Sequence, residues 1–174
     1  ELDRDLDGTE KKVRYYLAGV LVPQVLGEHY RVIRRMPGRE LEGIAYKPLF
    51  PYAGNLIAAS GKKAYYVTAD DYVTLTDGTG IVHIAPAFGA DDYELSRRYG
   101  LPLLQPVDGA GKFTAEVTPW AGRFVKDADE DIAAWLKERG LLFLKQGYRH
   151  NYPFCWRCKT PLLYYARASW YIST

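Results

Sequence analysis

Apolar positions along the chain come in short bursts separated by glycine and proline, and the period of each burst decides the element it predicts. Lys12 to Leu17 is rich in Val and Tyr and reads as a strand, as do His29 to Arg35, Ala64 to Thr68 and Gly80 to Ile84. Gly19 to Leu26 predicts a short helix, with Pro23 arguing against it. Pro37-Gly38 signals a turn, and Pro48, Pro51 and Gly54 mark a loop-rich stretch. Two helices have well-signed ends. Asp91 to Tyr99 opens on acidic residues and stops at Gly100, while Asp127 to Arg139 has Asp127, Asp129, Glu130 and Asp131 early, Lys137 and Arg139 late, and then Gly140. In the second helix Ile132, Trp135 and Leu136 share a face, which predicts packing against a sheet. The fold class these signals imply is α+β and β-rich, a closed or nearly closed β-barrel with peripheral helices. From Tyr148 the texture turns aromatic and knuckle-like, so residues 1–147 read as one domain and 148–174 as a connector.

Composition narrows the classes. At 174 residues, with 48% apolar and 25% charged, the chain suits a folded globular domain and not a disordered one. Its 23 basic against 21 acidic residues give a net charge of +2, so any RNA contact must be local, and Arg34-Arg35 and Arg97-Arg98 suit a solvated surface. No apolar run suits a membrane span, and the acidic start Glu1-Leu2-Asp3-Arg4-Asp5 does not suit a signal peptide, so a cytoplasmic protein is expected. The two cysteines, Cys155 and Cys158, have the spacing of a metal knuckle in a reduced compartment.

The stretch Asp77-Gly78-Thr79-Gly80-Ile81-Val82-His83-Ile84-Ala85-Pro86-Ala87-Phe88-Gly89-Ala90-Asp91-Asp92-Tyr93 holds the candidate chemistry. It reads as a glycine turn, a strand, a Pro/Gly loop and a helix start. With Val82 and Ile84 facing a core, the two-residue period turns His83 to the other face, while one of Asp91 and Asp92 caps the helix and the other is left to hold a ligand ammonium group. A structural histidine with two capping aspartates is the plainer alternative and stays open. The Gly-Thr-Gly element lacks the partners of a phosphate cradle. Neither the serines, Ser60, Ser96, Ser169 and Ser173, nor the cysteines sit in a nucleophile context, so any hydrolysis would use water, with no covalent intermediate.

The run from Gly78 to Tyr93 resembles the signature of the editing domain of bacterial-type isoleucyl-tRNA synthetases. The resemblance extends through Leu26-Gly27, Pro37-Gly38-x-x-Leu41-Glu42-Gly43, Tyr99-Gly100-Leu101-Pro102, Asp108-x-x-Gly111 and Tyr152-Pro153-Phe154-Cys155-Trp156-Arg157-Cys158-Lys159-Thr160-Pro161. It implies proofreading: a pocket that admits isoleucine rejects valine by only about 1–3 kcal/mol for the missing methylene, a limit for which these enzymes are the standard illustration, so a second, hydrolytic sieve removes the error. By the resemblance, Asp92 binds the α-ammonium of the misplaced valine, His83 shapes the pocket against isoleucine, and Gly78, Thr79, Gly80, Ala85, Pro86 and Phe88 line it. Asp91 is then the cap. The implied partners are the 3′ end of isoleucine tRNA carrying valine, valyl-adenylate and the rest of the synthetase in cis, with the isolated chain a monomer.

Editing implies no cofactor. Zinc at Cys155 and Cys158 would need an upstream ligand pair, since structural zinc takes four ligands and His150 offers at most a third. The family's pocket also uses an upstream threonine-rich strand ending in Thr-Pro-Trp-Thr. Thr118-Pro119-Trp120 follows the His83 motif instead of preceding it, so that strand is expected to be missing here, with some loss of activity and an unpaired edge. Two other functions stay open: a non-catalytic RNA-binding or zinc-knuckle module using Arg149, His150, Trp156, Arg157 and Lys159, and the editing domain of a valyl- or leucyl-type enzyme.

Overall fold

The computed structural model describes residues 13–147, 151–170 and 172. The chain divides into two compact units, Glu1–Pro48 with Tyr65–Ile84, and Leu49–Ala64 with Ala85–Thr174. Among the described residues the helices are α1 (Val22–Leu26), α2 (Gly54–Ser60), α3 (Ala90–Tyr99) and α4 (Asp129–Glu138), with single 3-10 turns at Gly19–Leu21, Gly38–Leu41, Thr118–Trp120 and Val125–Ala128.

The expected β-barrel is not present: the described residues form isolated bridges, Ala45 with Tyr66, Val107 with Phe113, Lys112 with Phe124 and Phe154 with Pro161, and no strand or sheet. The β-rich α+β assignment is corrected accordingly. A strand exists by its ladder, and β-propensity without an apposed partner leaves extended coil. In the first unit residues 43–46 and 65–67 come closest to pairing, through Gly43 N to Val67 O at 2.8 Å, Val67 N to Ile44 O at 2.9 Å and Tyr46 N to Tyr65 O at 2.9 Å. Tyr65 then takes a φ of 59°, which turns the chain out of the extended region and stops the ladder. Val32, Ile33, Ile81 and Val82 in the other expected strands are about half exposed.

Helices forecast from local signals do form. Pro23 falls in the first turn of α1, where the missing N–H has no helical acceptor to serve. In α3, Asp91 and Asp92 stand in the first turn, Arg97 and Arg98 in the last, and Gly100 closes it in the left-handed region at φ 66°. Leu95, 1% exposed, and Ser96 form its buried face. Pro48, Pro51 and Gly54 predict loop, yet Gly54–Ser60 forms helix once past Pro51.

α4 packs against aromatic rings where a sheet was expected. Val117, Trp120 and Ala128 form a buried cluster in the second unit, and Phe50, Tyr52, Phe113, Ile132 and Trp135 pack on it. Trp120 meets Phe50 edge-on at 6.2 Å, Tyr52 at 6.0 Å and Trp135 at 6.3 Å between centroids. Arg123 fastens the start of α4, pairing with Asp131 and donating to the Asp127 carbonyl at 2.6 Å. Arg139 lies over the Trp135 ring at 3.8 Å.

Candidate functional site

The candidate residues fall into two sets by unit. Gly78, Thr79, Gly80 and His83 belong to the first, and Ala85, Pro86, Phe88 and Asp92 to the second.

In the first unit, Gly78 and Gly80 take φ of 68° and 72°, curling the chain on either side of Thr79. The Thr79 hydroxyl donates to the Ile81 carbonyl at 3.0 Å and accepts from the Ile81 amide at 3.3 Å. The Thr79 carbonyl accepts from the Ala18 amide at 2.8 Å. A Cβ on Gly80 would lie 2.4 Å from the Ala18 Cβ. The close approach that the glycine permits is thus to the chain itself. His83 is exposed, and so is its neighbour Val82 at 48%, so the inside–outside alternation expected across residues 82–84 does not occur.

In the second unit the loop after His83 is tied to α3. Asp92 Oδ2 accepts the Ala85 amide at 3.0 Å, Phe88 N bonds Ala85 O at 2.8 Å, and Tyr93 N bonds Gly89 O at 2.9 Å. Ala87 is buried, and its carbonyl accepts the Ala166 amide at 2.6 Å. No side chain caps α3, and Asp91 is exposed, so the capping role expected of Asp91 is not seen. Asp92, third in the helix, reaches back to the loop instead. Gly89, which makes room for that reach, was missed as a site residue; its signal in the sequence is a residue without a side chain directly before a helix.

The knuckle is a tight turn. Cys155 N bonds Thr160 O at 2.9 Å, Lys159 N bonds Cys155 O at 2.9 Å, and Lys159 takes φ 59°. Cys158 Sγ lies 2.9 Å from the Thr160 hydroxyl, and that hydrogen bond, with help from the Thr160 backbone and from Cys155, lowers its thiol to about 7. Alkylation of Cys158 by iodoacetamide, followed by peptide mass spectrometry, is therefore expected to have its midpoint near pH 7 and to fall off below it as the thiolate is protonated. Thr160→Val should move that midpoint upward; an unchanged midpoint would show that the hydroxyl is not the cause. Among the described residues no group of three or more His, Cys, Asp or Glu stands together. Arg149 and His150 lie outside the described residues.

No family model matches the chain. It is 50% identical over 156 residues, 90% of its length, to the isoleucine–tRNA ligase of Clostridium novyi, and 48% identical over 160 residues, 92% of its length, to that of Thermoplasma acidophilum. To the ligase of Thermus thermophilus it is 49% identical over 149 residues, 86% of its length. The chain is homologous to a segment of isoleucine–tRNA ligases. It spans 14%, 15% and 13% of those three relatives.

The chain also has a surface groove of about 340 Å³ lined by Glu130, Ala133, Ala134, Lys137, Leu142 and Lys145, with Lys145 paired to Glu130 at 2.6 Å. It includes none of the candidate residues. No described helix of the segment is long and apolar enough to cross a membrane.

Proposed function

We propose that this chain is the proofreading domain of an isoleucine–tRNA ligase, hydrolysing valine misplaced on isoleucine tRNA, on the adenylate, or on both. The observation that carries the reading is the run Gly78 to Tyr93, which resembles the editing signature and in which the Asp92 carboxylate is anchored 3.0 Å from the Ala85 amide. Relatives at about 50% identity that are isoleucine–tRNA ligases support the parent enzyme. The parent, its tRNA and its cytoplasmic setting enter with that proposal.

In the reaction, Asp92 holds the α-ammonium of valine and so orients the ester. Water adds to the ester carbonyl carbon, and the carbon–oxygen bond to the ribose breaks. One proton of the water ends on the ribose oxygen and the other is released as valine's carboxylic acid ionises. The work of the protein is orientation of the substrate and of developing charge. His83 keeps the size-limiting role that the resemblance gives it.

The test is release of valine from mischarged isoleucine tRNA. Asp92→Ala removes a charge-assisted hydrogen bond worth about 1.5–3 kcal/mol and should lower kcat/KM by roughly 10–100-fold. Unchanged hydrolysis by Asp92→Ala would sink the assignment. One observation favours a second reading, an RNA-binding knuckle: Trp156 is 75% exposed with the Arg157 guanidinium 4.6 Å over its ring, and no Asp or Glu stands between positions 148 and 174. Tight tRNA binding, abolished by Trp156→Ala and without hydrolysis, would select it.

A further inference from the structure

Asp92 folds back onto the loop beside position 89, which carries no side chain. A Cβ built on Gly89 lies 3.0 Å from Asp92 Oδ2 and 3.2 Å from its Cγ, closer than most Cβ contacts, so the carboxylate would have to shift. The backbone at Gly89, φ −145° and ψ 141°, is extended and open to any residue, so glycine is not needed there for conformation. Nor does it supply a capping oxygen to α3. What it supplies is space beside the carboxylate. The Ala85 amide then fixes Oδ2 at 3.0 Å, and the Phe88 to Ala85 and Tyr93 to Gly89 backbone bonds hold the loop on which that amide stands.

We propose that Gly89 is a positioning residue for Asp92, keeping the carboxylate docked on the Ala85 amide so that it meets the ammonium group of an aminoacyl substrate in one orientation. The inference rests on the ammonium-binding role proposed above. A substituent at position 89 pushes the carboxylate by a few tenths of an ångström, and since a misplacement of about 1 Å can cost roughly a hundredfold, a loss of up to about tenfold is expected.

The chain carrying Gly89→Ala or Gly89→Ser is compared with wild type and Asp92→Ala, using L-valinamide as the cationic probe and valyl-tRNA as substrate. Gly89→Ser adds the same Cβ together with a good capping hydroxyl, so it separates displacement from any loss of helix stability. Both variants should weaken valinamide binding and raise KM about tenfold with little change in kcat. Adding Asp92→Ala to either should cost less than it costs in wild type. The Ala85 amide gives an independent response: its protection against hydrogen exchange, which the 3.0 Å bond to Asp92 supports, should fall in both variants. An Ala85 protection and valinamide affinity equal to wild type in both variants would overturn the proposal. If Asp92→Ala leaves valinamide binding unchanged while the Gly89 variants lose the Ala85 protection, the proofreading reading fails and the positioning of the carboxylate stands.

Discussion

Trp120→Ala is expected to lower the unfolding free energy by about 3–5 kcal/mol, the largest loss of any single truncation in the second unit. Trp120 is 5% exposed and stands among Phe50, Tyr52, Phe113 and Trp135, so its removal both withdraws apolar area from burial and leaves four rings facing a hollow. Those rings are partly buried already, and closing the hollow would pull α4 off Val117 and Ala128. Urea unfolding followed by circular dichroism gives the measurement. A loss under about 1 kcal/mol would mean that the ring cluster does not hold the unit together. Trp120→Phe, which keeps a ring in the cluster, should recover more than half of the loss.

Gly80→Ala is expected to cost about 2–4 kcal/mol. A β-carbon at a positive φ costs about 1–2 kcal/mol, and overpacking adds about 1–3 kcal/mol. The overpacking is specific, because the new Cβ lies 2.4 Å from the Ala18 Cβ. Ala18 cannot easily retreat, since its amide bonds the Thr79 carbonyl at 2.8 Å and its own carbonyl takes the Leu21 amide at 2.9 Å. Ala18→Gly in the same chain should therefore restore the steric share and leave the φ share. If Gly80→Ala unfolds at the wild-type urea concentration, the contact with Ala18 does not constrain the turn.

Local signals were legible and distant ones were not. The ends of α3 and α4 were written in adjacent residues, acids before and a glycine after, and both helices formed within two residues of the expected start. The barrel was inferred from β-forming runs, but a ladder depends on a partner elsewhere in the chain, and at Tyr65 the backbone turns away after three bonds. α2 was hidden because Pro48, Pro51 and Gly54 outweighed the helix-compatible residues that follow. Within the candidate site, the motif around Asp92 was readable as a type of chemistry. Its tether to Ala85 was not, because that bond depends on how the Pro86 to Gly89 turn closes. Gly80 is small where it meets Ala18, a contact that local sequence does not reveal. Trp120, set aside as part of an out-of-order Thr-Pro-Trp, is the centre of the aromatic cluster.

The knuckle and the segment after it are stitched into the second unit. A Cβ on Gly111 would fall 2.7 Å from Leu163 Cδ1 and 2.8 Å from Phe124 Cε2, the Lys126 ammonium sits 5.3 Å over the Tyr152 ring, and Ala166 donates to Ala87. Shortening the chain at 147 would take Leu163 from beside Gly111 and orphan the carbonyl of Ala87, inside the very loop that Asp92 grips. Anyone trimming this polypeptide for crystallisation or transplanting it into another enzyme should therefore cut beyond Ala166.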